Sequence, residues 1–132
     1  MQLTHTIAIH MTAAIIATAI GPIALWARKG RTQRPVLHRA FGYAWVTLML
    51  VTSVSAIFIR DHTLPNINGY TPIHLLIPVT LVTLVVAFRF LAAGNIRGHR
   101  KTMQGLYVWA CLVAGGFTLL PSRYLGQLLW SY

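Results

Sequence analysis

Acidic side chains are almost missing from this chain, and their absence narrows the chemistry it can perform. Asp61 is the single Asp or Glu, whereas Lys and Arg number eleven among 132 residues. Proton-coupled transport usually needs an Asp or Glu inside a membrane span, but Asp61 follows Arg60 in a segment that we predict to be a loop. A small transporter therefore stays an alternative that only a hint of internal duplication favours.

Cysteine is equally scarce. Cys111 stands alone, so the chain cannot form an intrachain disulfide. Catalytic zinc normally has three protein ligands, and the chain offers neither a Cys cluster nor several carboxylates for such a site. We interpret Cys111 as a small apolar packing residue. The sequence also shows no nucleophile–base arrangement and no phosphate-binding loop.

Charged residues are missing from four long stretches of the chain, which cover 1–27, 40–59, 62–88 and 102–122. A bilayer core about 30 Å thick is crossed by about 20 apolar residues in a helix, so each stretch is long enough to span once. The apolar runs are continuous rather than alternating, which favours helices over strands. Because the cations lie at the ends of apolar spans, the net charge of +10 does not indicate nucleic-acid binding.

These stretches predict an all-α integral membrane protein, a single domain over 1–132 that folds as an up-down-up-down four-helix bundle. Gly30 is placed to end the first helix, Pro35 to begin the second, and Thr71-Pro72 to cap and begin the third. The predicted helices cover about 4–28, 35–59, 72–93 and 98–121, followed by an interfacial tail over 122–132. The first apolar run exceeds a signal-peptide core of about 7–15 residues, so we expect it to remain as a helix.

Basic residues predict the orientation, because Lys and Arg collect in cytoplasmic connections. Nine cations lie in the first and third connections: Arg28, Lys29, Arg31, Arg34, Arg39, Arg89, Arg97, Arg100 and Lys101. The second connection and the tail carry one each, Arg60 and Arg123. We therefore expect connections 1 and 3 to be cytoplasmic and both termini to lie outside, in a bacterial inner membrane.

Histidines lie near the start of every predicted helix: His10, His38, His74 and His99. With alternating helix direction, His10 and His74 fall near the outer face, and His38 and His99 near the cytoplasmic face. Helices one and three are diagonal in such a bundle, as are two and four, and a porphyrin between diagonal helices needs one imidazole from each. The pattern predicts two haem b sites stacked roughly 20 Å apart. Other metals and purely structural roles stay open.

Small residues follow two of these histidines at helical spacing. Ala14, Ala17 and Gly21 follow His10, and Gly42 follows His38. Small side chains would let a flat macrocycle lie against the helix, but they equally let helices pack closely.

Two arginines directly follow the cytoplasmic histidines. Arg39 and Arg100 are candidates for binding haem propionates through charge-assisted hydrogen bonds, although the orientation rule explains such cations as well. His5 and Met103 are alternative axial ligands. Otherwise we expect His5 and His62 to be exposed, and Met103 to fill space.

Three hydroxyl side chains in the second helix are candidates for lining a quinone site. Thr52, Ser53 and Ser55 could line one, although hydroxyls in membrane helices often bond their own backbone. A hint of duplication is also present: Ile9-His10 stands twenty residues before Gly30, and Ile73-His74 stands twenty before Gly94.

Three short motifs resemble a family of small bacterial membrane proteins with four helices. The motifs are His38-Arg39-Ala-Phe-Gly42, Ile73-His74-Leu75 and Gly94 to Met103 with its His-Arg-x-x-Met ending. The resemblance covers roughly residues 5–120, and it implies a helical membrane protein without naming an activity.

The two diagonal histidine pairs also resemble the four-helix core of cytochrome b561-type proteins. Such proteins hold one b-type haem near each membrane face and exchange electrons with quinol, ascorbate, superoxide or a partner protein. The resemblance implies haem ligation by His10, His38, His74 and His99, and it makes a membrane oxidoreductase the expected activity. The alternative is a haem-free accessory or scaffold subunit of a larger membrane complex, and a homodimer is a further expectation.

Overall fold

Helices dominate the part of the chain that the structure, a computed structural model, describes: residues 3–62 and 65–131. About 75% of the protein is helical, and these residues contain no strand. Residues 63–64 of the predicted second connection and residue 132 of the predicted tail lie outside the described residues. The helices are α1 (His5–Trp26), α2 (Pro35–Ile57), a 3₁₀ turn (Pro72–Leu75), α3 (Leu76–Ala92), α4 (Ile96–Leu106), a π-helix (Tyr107–Val113), α5 (Ala114–Phe117) and α6 (Tyr124–Trp130).

Side-chain caps and prolines set the helix starts. The Thr4 hydroxyl accepts a hydrogen bond from the Ile7 N–H at 3.2 Å and begins α1. Pro35 occupies the first turn of α2, where its missing N–H costs nothing. Asn95 caps α4 by accepting from the Gly98 N–H at 2.9 Å. The helices therefore begin where local chemistry satisfies the free N–H groups of the first turn.

Residues 96–117, which contain most of the last apolar stretch, form one continuous helix with a π segment in its middle. Leu106, Val113 and Ala114 at the junctions all keep right-handed helical dihedral angles. This helix begins before the predicted residue 98, because Asn95 caps it, and it ends before the predicted residue 121. Its end is a series of short turns, in which Thr118 donates from N and Oγ1 to the Gly115 carbonyl at 3.1 and 2.6 Å.

Three helices are long and apolar enough to cross a membrane: His5–Trp26, Pro35–Ile57 and Pro72–Ala92. Only about a fifth of each is buried inside the protein, at 22%, 22% and 17% of the most apolar window. Large apolar side chains of these helices, such as Val54 (51% exposed) and Val82 (62% exposed), cover the outside. Membrane-spanning helices of this kind place these side chains against the lipid bilayer.

The helices pack in neighbouring pairs around a small core. α1 packs along α2, α2 against α3, α3 against α4, and the π-helix against α1. The core contains seven buried residues from all of these helices: Ala17, Trp45, Met49, Leu84, Leu106, Tyr107 and Cys111. The predicted packing role of Cys111 agrees with its place in this core.

Two ends of the molecule are used as landmarks below. The loop end comprises the connection 58–71 and the tail 118–131, with their contacts to the helix ends. The basic end comprises the connections 27–34 and 93–95 together with the helix ends that adjoin them, and it carries nine exposed cations: Arg28, Lys29, Arg31, Arg34, Arg39, Arg89, Arg97, Arg100 and Lys101. At the loop end Asn68 and Gly69 have φ of +54° and +86°, and Ile67 pairs with Tyr70 across them. This Asn-Gly turn matches the tight hairpin type that needs positive φ at both central residues.

Candidate functional site

Two cavities of very different size lie among the described residues. The loop-end cavity has a volume of about 680 Å³ and is lined by α1, α2, α3, the π-helix, α5 and the tail. The basic-end cavity has a volume of about 40 Å³. Sites for small molecules and cofactors usually measure about 300–1,000 Å³, so only the loop-end cavity has the size of a ligand site.

His10 lines the loop-end cavity and is held by α2. Its Nδ1 lies 2.9 Å from the Thr52 carbonyl oxygen and 3.2 Å from Ser55 Oγ. A carbonyl oxygen only accepts, so Nδ1 carries the proton and donates it. Among the described residues no hydrogen bond reaches Nε2. Metal-binding histidines typically donate one ring N–H to a carbonyl or carboxylate and ligate with the other nitrogen, which is the state of His10.

His74 lines the same cavity but uses both ring nitrogens. Its Nδ1 accepts a hydrogen bond from the Thr71 N–H at 3.0 Å, so Nε2 carries the proton. That Nε2–H donates to the Ile59 carbonyl at 2.8 Å. His74 therefore ties the start of the third membrane helix to the end of α2. To ligate a metal through Nε2, its ring would have to turn away from Ile59 and its proton would have to move to Nδ1.

The outer boundary of the loop-end cavity contains an ion pair. Arg123 lines the cavity and its guanidinium lies 3.2 Å from the Asp61 carboxylate. The Asp61 side chain is 2% exposed and the Arg123 side chain 14% exposed. The pair joins the connection 58–71 to the tail, and it places the single acidic residue of the chain beside the cavity rather than in a free loop.

Polar groups other than the histidines are few in the lining. Thr52 and Ser53, two of the hydroxyls considered for a quinone site, line the loop-end cavity. Thr52 Oγ1 is buried and has no hydrogen-bond partner among the described residues. Ser55 donates to the Thr52 carbonyl at 3.1 Å. The cavity is thus an apolar space with a small polar patch around His10.

The basic-end cavity is lined by His38 and by large side chains. His38 Nδ1 donates to the Ala24 carbonyl of α1 at 2.8 Å. Trp45 and Tyr107 occupy the space beside it, and Tyr107 donates from its hydroxyl to the Thr18 carbonyl at 2.8 Å. These two aromatic side chains fill most of this part of the protein and leave the small basic-end cavity between them and His38.

Gly21 shows how tightly the basic end is packed. A Cβ at this position would collide with the Tyr107 ring and would lie 3.1 Å from Trp45 Nε1. The missing side chain of Gly21 therefore lets the Tyr107 ring pack directly against α1. Ala17, another small residue of α1, is fully buried in the core. Ala14 lines the loop-end cavity instead. Gly42 lines the basic-end cavity, and a Cβ at this position would meet no atom within 4 Å.

His99 and His38 do not share a cavity. His99 Nδ1 donates to the Ala87 carbonyl of α3 at 2.8 Å, and its ring packs edge-on to Phe88 at 6.1 Å between centroids. Arg100 donates to the Arg28 carbonyl at 3.1 Å, and Arg39 is exposed. Of the two predicted pairs, His10 and His74 line one cavity, whereas only His38 of the pair His38 and His99 lines the basic-end cavity.

The remaining candidate ligands have other positions. His5 and His62 are exposed, as expected. Met103 lines the basic-end cavity beside His38. No group of three or more His, Cys, Asp or Glu in the described ranges could hold a metal ion.

Two features of this region are not evident from the sequence alone. Arg123 has the pattern of a tail cation, although a lone charge directly after a long apolar stretch is a signal for a buried partner. Trp45 and Tyr107 carry no sequence signal that they occupy the space beside His38. Their contact depends on how α2 and the π-helix pack, which helical spacing within one segment does not show.

The family comparison covers nearly all of the membrane region. Residues 7–119 match the family model described as "Predicted membrane protein (DUF2306)", so the chain belongs to this family. No curated protein matches the chain, and no solved structure matches it.

Proposed function

We propose that this member of the DUF2306 family is a membrane b-type cytochrome whose haem occupies the loop-end cavity between His10 and His74. One observation carries the proposal: histidines from α1 and from the start of the third membrane helix line a single cavity of about 680 Å³. A haem needs an apolar space of ligand size and one or two axial side chains, and this end offers both.

His10 would be the first axial ligand. The Thr52 carbonyl already holds its Nδ1–H at 2.9 Å, which leaves Nε2 with a free lone pair. This hydrogen bond also fixes the tautomer and the orientation of the ring. No change of tautomer is needed for His10 to bind iron.

His74 would be the second axial ligand. Its present hydrogen bonds to the Ile59 carbonyl and from the Thr71 N–H would both be lost, because Nδ1 would then carry the proton. Thr71 Oγ1 lies 3.1 Å from Nδ1 and could accept that proton in a hydrogen bond. A partner for the ligating tautomer is therefore already in place.

Arg123 is the cation best placed for a haem propionate, because it lines the cavity that Arg39 and Arg100 do not reach. The bound haem would supply one-electron redox chemistry. The protein would supply imidazoles, a dry lining and charge. We further propose that the segments form an up-down-up-down bundle in a bacterial inner membrane, with both termini outside. A quinone or small reductant would be the electron donor, as in cytochrome b561-type proteins.

The second candidate is a haem-free accessory subunit of a larger membrane complex, and one observation favours it. His10, His38, His74 and His99 each donate to a backbone carbonyl of a neighbouring element, at 2.8–2.9 Å. Such bonds satisfy polar groups inside a membrane protein without any cofactor. The colour of the purified protein distinguishes the two candidates, because a cytochrome is red and a haem-free subunit is colourless.

A reduced-minus-oxidised absorption spectrum of the detergent-purified protein, expressed with ample haem, tests the proposal. We expect sharp b-type bands in the wild-type protein, loss of the bands in His10→Ala, and loss or a marked shift in His74→Ala. His5→Ala and His62→Ala are matched controls, because both side chains are exposed. A colourless wild-type protein, or full haem content in His10→Ala, would reject the haem proposal.

A further inference from the structure

We infer that His38 and His99 are structural links at the basic end rather than haem ligands, so that the chain holds a haem at the loop end only. The haem number in this inference rests on the proposed function. The structural role of the two histidines does not, because it follows from their own contacts.

The two histidines make equivalent bonds in two successive helical hairpins. In the first hairpin, His38 Nδ1 lies 2.8 Å from the Ala24 carbonyl near the end of α1. In the second, His99 Nδ1 lies 2.8 Å from the Ala87 carbonyl of α3. Each histidine therefore joins the first turns of one helix to the preceding helix, across a turn with a glycine in the left-handed region.

The carbonyl partner is an alanine in both hairpins, and this choice has a physical reason. Ala24 is 8% exposed and Ala87 is fully buried. A methyl side chain leaves room for an imidazole to reach the helix backbone, and a carbonyl oxygen has a second lone pair for an extra donor. The repeated arrangement of His, Ala carbonyl and glycine turn supports a structural role common to both hairpins.

The basic end also lacks space for a macrocycle between the two histidines. The cavity beside His38 measures about 40 Å³. A water molecule takes about 30 Å³ of liquid volume, so this cavity is of the size of water rather than of a porphyrin. Trp45 is 3% exposed and Tyr107 8% exposed, and the second also bonds α1 through its hydroxyl. Admitting a haem would require removal of both rings from the core.

Variants of the two histidines distinguish a structural hydrogen bond between helices from ligation of haem. In asparagine the amide nitrogen is as many bonds from Cα as Nδ1 is in histidine, so His38→Asn and His99→Asn keep a donor for the Ala carbonyl. Asparagine is not among the usual axial ligands of haem. His38→Ala and His99→Ala remove both donor and ligand. The measurements on purified protein are haem per chain and the unfolding equilibrium in a denaturing detergent.

We expect the Ala variants to unfold more easily, with an equilibrium constant raised about fivefold to tenfold, as for loss of one hydrogen bond. The Asn variants should recover most of this loss, and all four should keep the wild-type haem content. Loss of haem from a stably folded Asn variant would overturn the inference, and so would equal stability of the Ala and Asn variants.

The two proposals can fail separately. A colourless wild-type protein would reject the haem at the loop end, but the difference between the Ala and Asn variants would still decide the structural role. A wild-type protein with two haems per chain would support the haem proposal and reject the inference.

Discussion

The loop end and the basic end carry the same arrangement in sequence, one histidine pair each, but they differ in what surrounds the histidines. At the loop end, His10 and His74 line a cavity of about 680 Å³. At the basic end, Trp45 and Tyr107 leave about 40 Å³ beside His38. A pair of histidines therefore defines a candidate site only where the volume between the two side chains is open.

Side-chain size explains the difference. Ala14, Gly115 and Gly116 line the loop-end cavity, and short side chains leave volume between helices. In the other half, Gly21 faces the Tyr107 ring, so the volume that a glycine leaves is filled by an aromatic side chain. The same small-residue pattern in α1 therefore makes a cavity at one end and close packing at the other.

Filling the loop-end cavity should have the largest effect on ligand binding. Ala14→Phe would place a ring in the lining, and we expect haem affinity to fall about ten- to hundredfold, since overpacking costs about 1–3 kcal/mol. Ala44→Phe is the control, because Ala44 is exposed on α2. Haem titration of the two variants measures the effect, and equal affinities would show that the cavity is not the binding site.

Removing the buried cation at the loop end should have the largest effect on stability. Arg123→Gln would leave the Asp61 carboxylate, 2% exposed, without its guanidinium. Breaking such a buried pair costs about 3–5 kcal/mol. Unfolding in denaturing detergent measures the change. Arg97→Gln at the exposed basic end should stay within about 0.5 kcal/mol of wild type, and similar losses in both variants would contradict the account.

A methyl group at Gly21 tests the close packing of the basic end. Gly21→Ala would push against the Tyr107 ring, and we expect a loss of about 1–3 kcal/mol. Gly42→Ala meets no atom within 4 Å, so it should gain up to about 1 kcal/mol from helix propensity. Both free energies of unfolding come from the same detergent assay. A Gly21→Ala variant more stable than wild type would contradict the close packing of Gly21 against Tyr107.

The smallest effect is expected at the two arginines that sequence reasoning assigned to propionates. Arg39 is exposed, and Arg100 donates to the Arg28 carbonyl at the protein surface. Arg39→Gln and Arg100→Gln should leave haem content and band positions unchanged, with stability within about 0.5 kcal/mol. A shifted spectrum in either variant would place a haem propionate at the basic end.

Much of the helical structure could be predicted from local chemistry. Pro35 begins α2, and Thr71 and Pro72 open the third membrane segment, as their residue types require. The bounds of the last helix follow less directly from the sequence, because its start depends on the Asn95 side chain and its end on successive short turns around Gly115. Those features depend on specific hydrogen bonds and not on hydropathy.

The candidate site could be predicted only in part. Helix order in the sequence was enough to pair His10 with His74, and both residues line one cavity. It could not show that Tyr107 would fill the space opposite Gly21, or that Arg123 would pair with Asp61. Both contacts join segments far apart in sequence, so they depend on how the helices pack together.

The haem-to-protein ratio of the wild-type chain tests the contrast between the two ends most directly. A pyridine-haemochrome titration, set against quantitative amino-acid analysis of the same sample, gives this ratio. The account predicts one haem b per chain, at the loop end. A ratio of two would contradict the closed basic end, and a ratio of zero would contradict the haem site itself.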